Sequence, residues 1–322
     1  MDAPQTDTGR MVADVGGTNT RIALFDQDSG TFRATRSFVN RDYANFEDVI
    51  ANWMEELDEA APFSCCIAVA APPSKDQVTM SNIDWSFSCR ELARRFGFHK
   101  LGRINDFESN AYSLPYLSSD DLTLLYPGKA GQAGMLATVG PGTGLGGAFL
   151  SKNPDGSHSS HACEPGHMGL TPATALELEL FRLLLPQHSN IYAELLVSGP
   201  GLLRLHSALA EIQGTPADNS LEPVDISRRA VNEGDELCAL TLNTFCALLG
   251  SVCGDFMLAN GSYGGLYLAG GIVPGIIPWL RDSTFCQRLQ DKGAMRQQLA
   301  NIPVYMITAS HPGLIGAAHA PL

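Results

Sequence analysis

Glycine-rich segments are the part of this sequence whose residue types and spacing could do chemistry, and one of them reads G-x-G-x-x-G at residues 142–147. That pattern binds a dinucleotide when it joins a strand to a helix, because the pyrophosphate rests on the N-terminus of the helix. Here the flanking apolar runs, 135–139 and 148–150, predict strands, and Asn-Pro-Asp-Gly at 153–156 predicts a turn. No lysine completes the alternative pattern G-x-x-x-x-G-K-[ST]. The glycines therefore indicate a different use.

A glycine turn between two strands can direct successive backbone N–H groups into a concave site for phosphate oxygens. Thr143 would add a hydroxyl, although an ordinary tight hairpin is the simpler interpretation of this turn taken alone. A second turn, Gly-Gly-Thr-Asn at 16–19, lies between the short apolar runs 12–15 and 21–25 and adds the carboxylate of Asp14. Two similar turns, one with an acidic neighbour, favour a site that holds phosphate groups.

The charge of the chain excludes several classes of partner. With 21 Lys and Arg against 34 Asp and Glu, the formal net charge is −13, and the basic residues are scattered along the chain. Such a chain has no sequence-independent attraction to nucleic acid or to an anionic bilayer. An anion must therefore be held locally, by backbone amides or a metal. We expect a small-molecule substrate and no nucleic-acid or membrane partner.

The eight cysteines lie mostly in apolar stretches and form no C-x-x-C pair, which is typical of reduced core residues in a cytoplasmic protein. Cys163 and His167 could suggest a zinc site, but two candidate ligands without a second pair are weak evidence. The first residues are polar and acidic, unlike a signal peptide, and no apolar run approaches the ~20 residues of a membrane span. We therefore expect a soluble protein of the cytoplasm.

A chain of 322 residues exceeds the size at which a single core usually keeps growing, so two domains are expected. Alternating strands and helices in the first part predict a mixed α/β domain, and the strand–turn–strand theme returns after about residue 117, which suggests duplication. Ser88 with Glu91, and Thr171 with Pro172, are typical of helix N-termini. The pattern predicts strands at 12–15, 21–25, 65–70, 101–104, 135–139, 148–150, 265–269 and 304–307, and helices at 46–57, 235–258 and 312–319.

Asn105 and Asp106 follow the predicted strand 101–104 and place an amide beside a carboxylate. The carboxylate could accept a proton from an alcohol, and the amide could hydrogen-bond to vicinal hydroxyls. Asp106 could equally cap a helix that begins near Phe107, which is a common function of Asp. From the residues alone, the two interpretations of Asp106 are equally supported.

The order of these motifs resembles that of bacterial glucokinase, the zinc-free, hexokinase-type family of the actin-like ATPase superfamily. The matching segments are residues 12–24, 104–107, 140–146, 164–167, 198–202, 268–274 and 312–316, and no cysteine-rich zinc motif follows His167. The resemblance implies a two-domain α/β fold, actin-like and ribonuclease H-like, with a cleft between a small α/β domain (1–114 plus 305–322) and a large α+β domain (115–304). It also implies transfer of the γ-phosphate of MgATP to the 6-hydroxyl of glucose, and a homodimer.

The resemblance also implies roles for particular residues. Asp106 would be the catalytic base, and Asp14 would help to hold Mg²⁺ through water. The sugar would bind to Asn82, Asn105, Asp106, Glu164, His167 and Glu194. ATP would bind to Asp14, Gly16, Gly17, Thr18, Asn19, Gly142, Thr143, Gly144, Gly270 and Gly271.

The predicted sugar loop departs from the family pattern Gly-Glu-Gly-Gly-His, because this chain has Cys-Glu-Pro-Gly-His at 163–167. Pro165 removes a backbone N–H and stiffens the loop. A kinase for another hexose or for an N-acylhexosamine is therefore an alternative. A sugar sensor without catalysis is a second alternative, although the presence of Asp106 and of both glycine turns argues against it.

Overall fold

The computed structural model describes residues 9–57, 62–70, 76–80, 83–129 and 134–322. Its strands are β1 Gly9–Val15, β2 Asn19–Asp26, β3 Thr31–Val39, β4 Ser64–Val69, β5 Gln77–Thr79, β6 Ser86–Ser88, β7 Lys100–Ile104, β8 Leu122–Tyr126, β9 Leu136–Pro141, β10 Leu145–Lys152, β11 His158–Cys163, β12 Gly265–Leu268 and β13 Val304–Ile307. Its helices are α1 Phe46–Glu55, α2 Cys89–Phe96, α3 Asp106–Ser113, α4 Ala175–Leu184, α5 Ala193–Leu196, α6 Gly199–Gln213, α7 Pro223–Arg228, α8 Glu236–Asn260, α9 Ile277–Asp282, α10 Phe285–Gln290, α11 Arg296–Leu299 and α12 Pro312–His319.

The chain divides into two compact units. The first unit comprises Met1–Leu117 with Ser310–Leu322, and the second comprises Ser118–Ala309. The sequence predicts that the small domain contains residues 1–114 and 305–322. The structure instead divides the chain after Leu117 and after Ala309, so strand β13 belongs to the second unit. β13 lies in the second unit because it pairs in parallel with β12 and antiparallel with β8. Only α12 and its flanking residues return to the first unit.

The first unit contains a five-stranded sheet in the order β3-β2-β1-β4-β7. β1, β4 and β7 are parallel neighbours, with Val15 opposite Val69 and Ala68 opposite Ile104. Every residue of β4 is buried, as expected for a strand covered on both faces. Because the three strands end at nearly the same level, the residues that follow β1 and those that follow β7 leave the same edge of the sheet. Two strand spacings, roughly 10 Å, separate them.

Helix α12 packs against both β1 and α3 in the first unit. The Arg10 guanidinium donates hydrogen bonds to the carbonyl oxygens of Ala318 at 2.7 Å and Ala320 at 2.8 Å, which satisfies the end of the helix. Ser109 Oγ donates to the Gly313 carbonyl oxygen at 2.6 Å. A Cβ built on Gly316 would lie 1.7 Å from the Ser109 carbonyl oxygen. The close crossing of α12 and α3 therefore requires glycine at position 316.

The second unit contains a six-stranded sheet in the order β11-β10-β9-β12-β13-β8. β9 and β12 are parallel, with Val139 opposite Leu268, while β9 and β10 form an antiparallel hairpin. The turn of that hairpin and the chain that leaves β12 therefore lie at one edge of the sheet, on adjacent strands.

Helix α8 is long and apolar enough to cross a membrane, but 78% of its most apolar window is buried inside the protein. It is the central core helix of the second unit, in contact with α6 and α10. A buried ion pair lies beside it, in which the Arg288 guanidinium donates to the Glu177 carboxylate and to Ser251 Oγ at 3.1 Å. Burial of both partners makes this pair costly to break, because either charge alone would be uncompensated.

Most of the predicted elements are confirmed. The helix predicted at 312–319 has those bounds, and the helix predicted at 235–258 is α8. Ser88 caps α2 by accepting a hydrogen bond from the Glu91 N–H at 3.2 Å. The helix start predicted at Thr171 is wrong, because α4 begins at Ala175 and its cap is Thr174, whose hydroxyl accepts from the Glu177 N–H at 3.2 Å.

Gly316→Ala should destabilise the first unit. Alanine favours a helix interior over glycine by roughly 1 kcal/mol, but overpacking against a backbone carbonyl costs about 1–3 kcal/mol or more, so the clash should outweigh the gain. Urea unfolding followed by circular dichroism measures the change. Gly275→Ala is the matched control, because its added Cβ meets no heavy atom within 4 Å. Equal free energies of unfolding for Gly316→Ala and the unmodified chain would contradict the close crossing.

Candidate functional site

The first glycine turn, residues 16–19, joins β1 to β2. The Gly16 N–H donates to the Asn19 carbonyl oxygen at 3.0 Å, which closes the turn. A Cβ on Gly16 would lie 3.1 Å from that same oxygen. Gly17, Thr18 and Asn19 complete the turn, and Thr18 is exposed. The turn therefore presents backbone and one hydroxyl to solvent at the carboxyl edge of the sheet.

Asn40 fixes this turn, and the sequence analysis did not identify it. Its Nδ2 donates to the Gly16 carbonyl oxygen at 2.7 Å, and its Oδ1 accepts from Thr20 Oγ1 at 2.8 Å. Its backbone N–H donates to the Thr18 carbonyl oxygen at 2.9 Å. Asn40 is 1% exposed, and it lies beyond β3, far along the chain from the turn. The signal for this role is the burial of Asn40 within a polar stretch of the chain, and the sequence alone does not reveal that burial.

Asp14 lies in β1 opposite Arg21 of β2, and the Arg21 guanidinium is 3.5 Å from Asp14 Oδ2. Burial raises the pKa of the Asp14 carboxyl above its ordinary value, and the charges of Arg21 and His311 partly offset the rise. A Cβ on Gly313 would lie 2.7 Å from the Asp14 Cγ. The Asp14 carboxylate is thus an oxygen ligand of the kind that hard cations prefer, and a cation bound nearby would favour its charged form.

Asn105 and Asp106 follow β7 at the carboxyl edge from which the first glycine turn also leaves. Asn105 is the cap of α3: its Oδ1 accepts from the Phe107 N–H at 2.8 Å and from the Glu108 N–H at 3.4 Å. The Glu108 carboxylate accepts from the Asn105 N–H at 3.0 Å, which completes a capping box. Asp106 is the first residue of the helix rather than its cap. The capping alternative for Asp106 is therefore wrong.

The second glycine turn, residues 142–144, joins β9 to β10. The Gly142 N–H donates to the Gly144 carbonyl oxygen at 2.7 Å. A Cβ on Gly142 would meet no heavy atom within 4 Å, and its φ lies outside the left-handed region. Neither packing nor backbone conformation therefore requires glycine at 142. A ligand that approaches the backbone closely would require it.

Gly270 and Gly271 follow β12 beside the second turn. Gly270 has a φ of +88°, and a Cβ there would lie 2.4 Å from the Pro141 carbonyl oxygen. The chain itself therefore requires glycine at 270. At Gly271 an added Cβ would meet nothing within 4 Å, so Gly271 resembles Gly142 in having open space where a side chain would stand.

The predicted sugar residues of the second unit lie on two neighbouring segments. Glu164 and His167 are exposed at the two ends of a short 3-10 helix, Pro165–His167. Pro165 occupies the first position of that helix, where a missing N–H has no cost, and it packs against Gly147, whose added Cβ would lie 2.7 Å from the Pro165 Cγ. Glu194, in α5, accepts a hydrogen bond from the Leu145 N–H on its Oε2 at 2.8 Å.

The structure brings the predicted residues together in two groups, one in each unit. The first unit groups Asp14, residues 16–19 and residues 105–106 at one sheet edge. The second unit groups residues 142–144, Gly270 and Gly271 at one sheet edge, with Glu194 bonded to the chain at the end of the turn. Asn82 lies outside the described residues. Within the part of the chain that the structure describes, no group of three or more His, Cys, Asp and Glu could hold a metal ion.

Comparison with known proteins gives consistent matches over nearly the whole chain. The family model described as Glucokinase matches residues 11–321. The curated glucokinase of Saccharophagus degradans is 37% identical over 311 residues, which cover 96% of each chain. The crystal structure of a glucokinase from an Antarctic psychrotroph has a TM-score of 0.87 at 36% identity, covering 97% of this chain and 98% of that one. A ROK family glucokinase from Streptomyces griseus, crystallised with glucose and AMPPNP, has a TM-score of 0.61 at 19% identity, covering 96% of this chain and 98% of that one.

Asn40→Ala should loosen the first glycine turn. It removes hydrogen bonds to Gly16 and Thr20 from a buried position, which typically costs about 1–3 kcal/mol. Hydrogen–deuterium exchange should become faster in peptides that cover residues 16–19, while peptides that cover 142–144 serve as the internal control. Thr20→Val, which removes only the contact between Thr20 and Asn40, should have a smaller effect. Unchanged exchange in the first turn of Asn40→Ala would show that Asn40 does not hold it.

Proposed function

This chain belongs to the glucokinase family and is an ATP-dependent glucose kinase with the two-domain, actin-like ATPase fold, and we propose that Asp106 is its catalytic base. In the reaction, the glucose 6-hydroxyl attacks the γ-phosphorus of ATP, the bond to the β,γ-bridging oxygen breaks, and ADP leaves. The hydroxyl proton passes to the Asp106 carboxylate. The products are glucose 6-phosphate and ADP.

The capping arrangement of α3 supports this role for Asp106. The capping box is made by Asn105, which accepts from the Phe107 and Glu108 N–H groups, and by Glu108, which accepts from the Asn105 N–H. The Asp106 carboxylate stands in the first turn of α3, where the helix dipole favours the negative charge that a base must carry before it accepts a proton. Asn105 Oδ1 is occupied by the cap, so we infer that Asn105 contacts the sugar through its Nδ2 donors.

The observation that carries the proposed ATP site is the open space at Gly142. Phosphoryl transfer depends chiefly on positioning and charge stabilisation, and backbone N–H groups supply both when no side chain intervenes. We propose that residues 16–19 and 142–144 bind the phosphates. Gly270 and Gly271 would let the adenosine lie against the backbone.

Asp14 is the residue that fits Mg²⁺. It offers a single carboxylate, and magnesium usually keeps several waters and takes its other ligands from substrate phosphates. When bound, the ion would neutralise part of the phosphate charge. Arg21 lies 3.5 Å from the same carboxylate and would keep it oriented.

For the sugar we propose Glu164, His167 and Glu194 together with Asn105 and Asp106, because a hexose presents several hydroxyls and needs several acceptors and donors. Asn82 stays a prediction. Pro165 occupies the first position of the 3-10 helix, where no N–H is required, so it need not disturb the loop that carries Glu164 and His167. We therefore propose glucose as the preferred sugar. A panel of mannose, fructose and N-acetylglucosamine, compared by kcat/KM, tests this preference against kinases for other hexoses.

We also propose that the protein is a cytoplasmic homodimer with no nucleic-acid or membrane partner. The net charge of −13 supports the second part. Sedimentation velocity measures the oligomeric state. Glucose-dependent ADP release with MgATP separates the kinase from a sugar sensor, because a sensor would bind glucose without turnover.

Asp106→Asn should lower kcat by about 10²–10⁴-fold, the usual contribution of a general base, while glucose affinity changes much less. Coupled-assay kinetics and calorimetric glucose binding measure the two quantities. Glu108→Gln is the matched control, since it changes a carboxylate of the same helix that belongs to the capping box. Near-normal turnover in Asp106→Asn would remove the assigned base.

Gly142→Ala and Gly271→Ala should raise KM for ATP by roughly 10-fold or more, because each added methyl group enters the space assigned to the nucleotide. Neither methyl group meets an atom of the chain within 4 Å, so the free energy of unfolding should stay the same or rise slightly. Glucose affinity in the absence of nucleotide is the internal control. If KM for ATP were unchanged in both variants, the nucleotide would lie elsewhere.

A further inference from the structure

The Glu194 side chain lies between the second glycine turn and the predicted sugar loop, and it contacts both. Its Oε2 accepts the Leu145 N–H at 2.8 Å. A Cβ on Gly144 would lie 2.5 Å from Oε2, and a Cβ on Gly166 would lie 3.2 Å from Oε2 and from the Glu194 Cβ. Glycine at 144 therefore makes room for this carboxylate, while at 166 an added Cβ would lie 2.5 Å from the Leu145 carbonyl oxygen as well as near Glu194.

The backbone around Glu194 makes the same connection. At one end of the segment 191–199, the Leu170 N–H donates to the Ile191 carbonyl oxygen and the Ala193 N–H donates to the Met168 carbonyl oxygen, both at 2.9 Å. At the other end, the Gly199 N–H donates to the Gly142 carbonyl oxygen at 2.8 Å. This segment is therefore bonded at its start to the residues after the sugar loop and at its end to the glycine turn.

We propose that Glu194 is a positioning residue for the second glycine turn as well as a sugar contact, so that glucose binding and nucleotide binding are coupled through one carboxylate. This inference rests on the proposed function, in which the sugar lies at Glu164 and His167 and the phosphates lie at residues 142–144. A role for Glu194 as a sugar contact alone would not connect the two ligands, whereas this second role does.

The chemistry of a carboxylate explains the direction of the coupling. An ionised carboxylate accepts several hydrogen bonds through two oxygens, and Oε2 is occupied by the Leu145 N–H. A sugar hydroxyl that donates to Oε1 fixes the rotation of the carboxylate, and this holds Leu145 and the end of the turn. The turn is then already ordered when the nucleotide arrives, so less conformational entropy is lost on binding. Glucose should therefore tighten nucleotide binding, and the nucleotide should tighten glucose binding by the same factor.

Calorimetry on the full chain tests the coupling. The probe is magnesium AMPPNP, whose affinity is measured with and without saturating glucose, and the ratio of the two dissociation constants is the coupling factor. For the unmodified chain we expect a factor within the usual range of about 5- to 150-fold. Glu194→Ala removes the link, and Gly144→Ala displaces the carboxylate without removing it. In both variants the factor should fall towards one.

Glu164→Gln is the matched control. Glu164 is the other predicted sugar carboxylate of the second unit, and among the described residues its side chain makes no hydrogen bond to the turn. This variant should weaken glucose binding and keep the coupling factor at saturating glucose. A purely structural role for Glu194 would weaken nucleotide binding equally with and without glucose, and would leave the factor unchanged.

Hydrogen–deuterium exchange supplies a measurement that needs no variant. Saturating glucose alone should slow exchange in the peptide that contains the Leu145 amide. If exchange there is unchanged and the coupling factor is one while glucose is still phosphorylated, this inference is overturned and the kinase function stands. If the unmodified chain neither binds glucose nor releases ADP with it, the proposed function itself fails.

Discussion

Parallel strand pairing determines where the proposed site residues of each unit lie. In the first unit, β1, β4 and β7 run in the same direction and end within one residue of each other, so the glycine turn and Asp106 emerge at one edge. In the second unit, β9 and β12 do the same for the second turn and Gly270. Connections at the carboxyl ends of parallel strands are neighbours whatever their distance along the chain, which is why such edges carry ligand sites in α/β folds. Helices then hold these loops in place: α3 begins at the end of the loop that follows β7, and α5 carries Glu194, which is bonded to the end of the second turn.

Glycines in these loops fall into two kinds that differ in physical cause. At Gly270 the chain itself requires glycine, because a side chain would meet the Pro141 carbonyl oxygen, and at Gly144 a side chain would have to displace the Glu194 carboxylate. At Gly142 and Gly271 the surroundings are open, and nothing in the chain excludes alanine. Only the second kind leaves room for a ligand to approach the backbone. The sequence pattern cannot separate the two kinds, because the separation depends on atoms from distant segments.

Whether a feature depends on local sequence or on contacts between distant segments determines whether it could be predicted from the sequence. Apolar runs and periodicity predicted the strands around both turns, the long core helix and the final helix, because those elements depend on local pattern. Asn40, the contact between Glu194 and Leu145, and the pairing of β13 within the second unit were not predicted. Each of them joins segments far apart in sequence. The residues alone leave two uses of Asp106 open, because a cap at Asn105 and a cap at Asp106 differ in position by a single residue.

The negative net charge of the chain is related to the shortage of side chains in its two glycine turns. A net charge of −13 gives an anionic substrate no long-range attraction, and at physiological ionic strength charges beyond about 8 Å are largely screened. Arg21 is already engaged with Asp14. At the proposed phosphate site, affinity would then depend on short-range interactions, from a bound Mg²⁺ and from backbone N–H groups, which reach the oxygens only where side chains do not keep them away. If the two turns bind phosphate as proposed, their lack of side chains takes the place that lysine and arginine hold in more basic phosphate sites. The hydrogen bonds from Asn40 to the first turn and from Leu145 to Glu194 would then matter because they keep the turns in position.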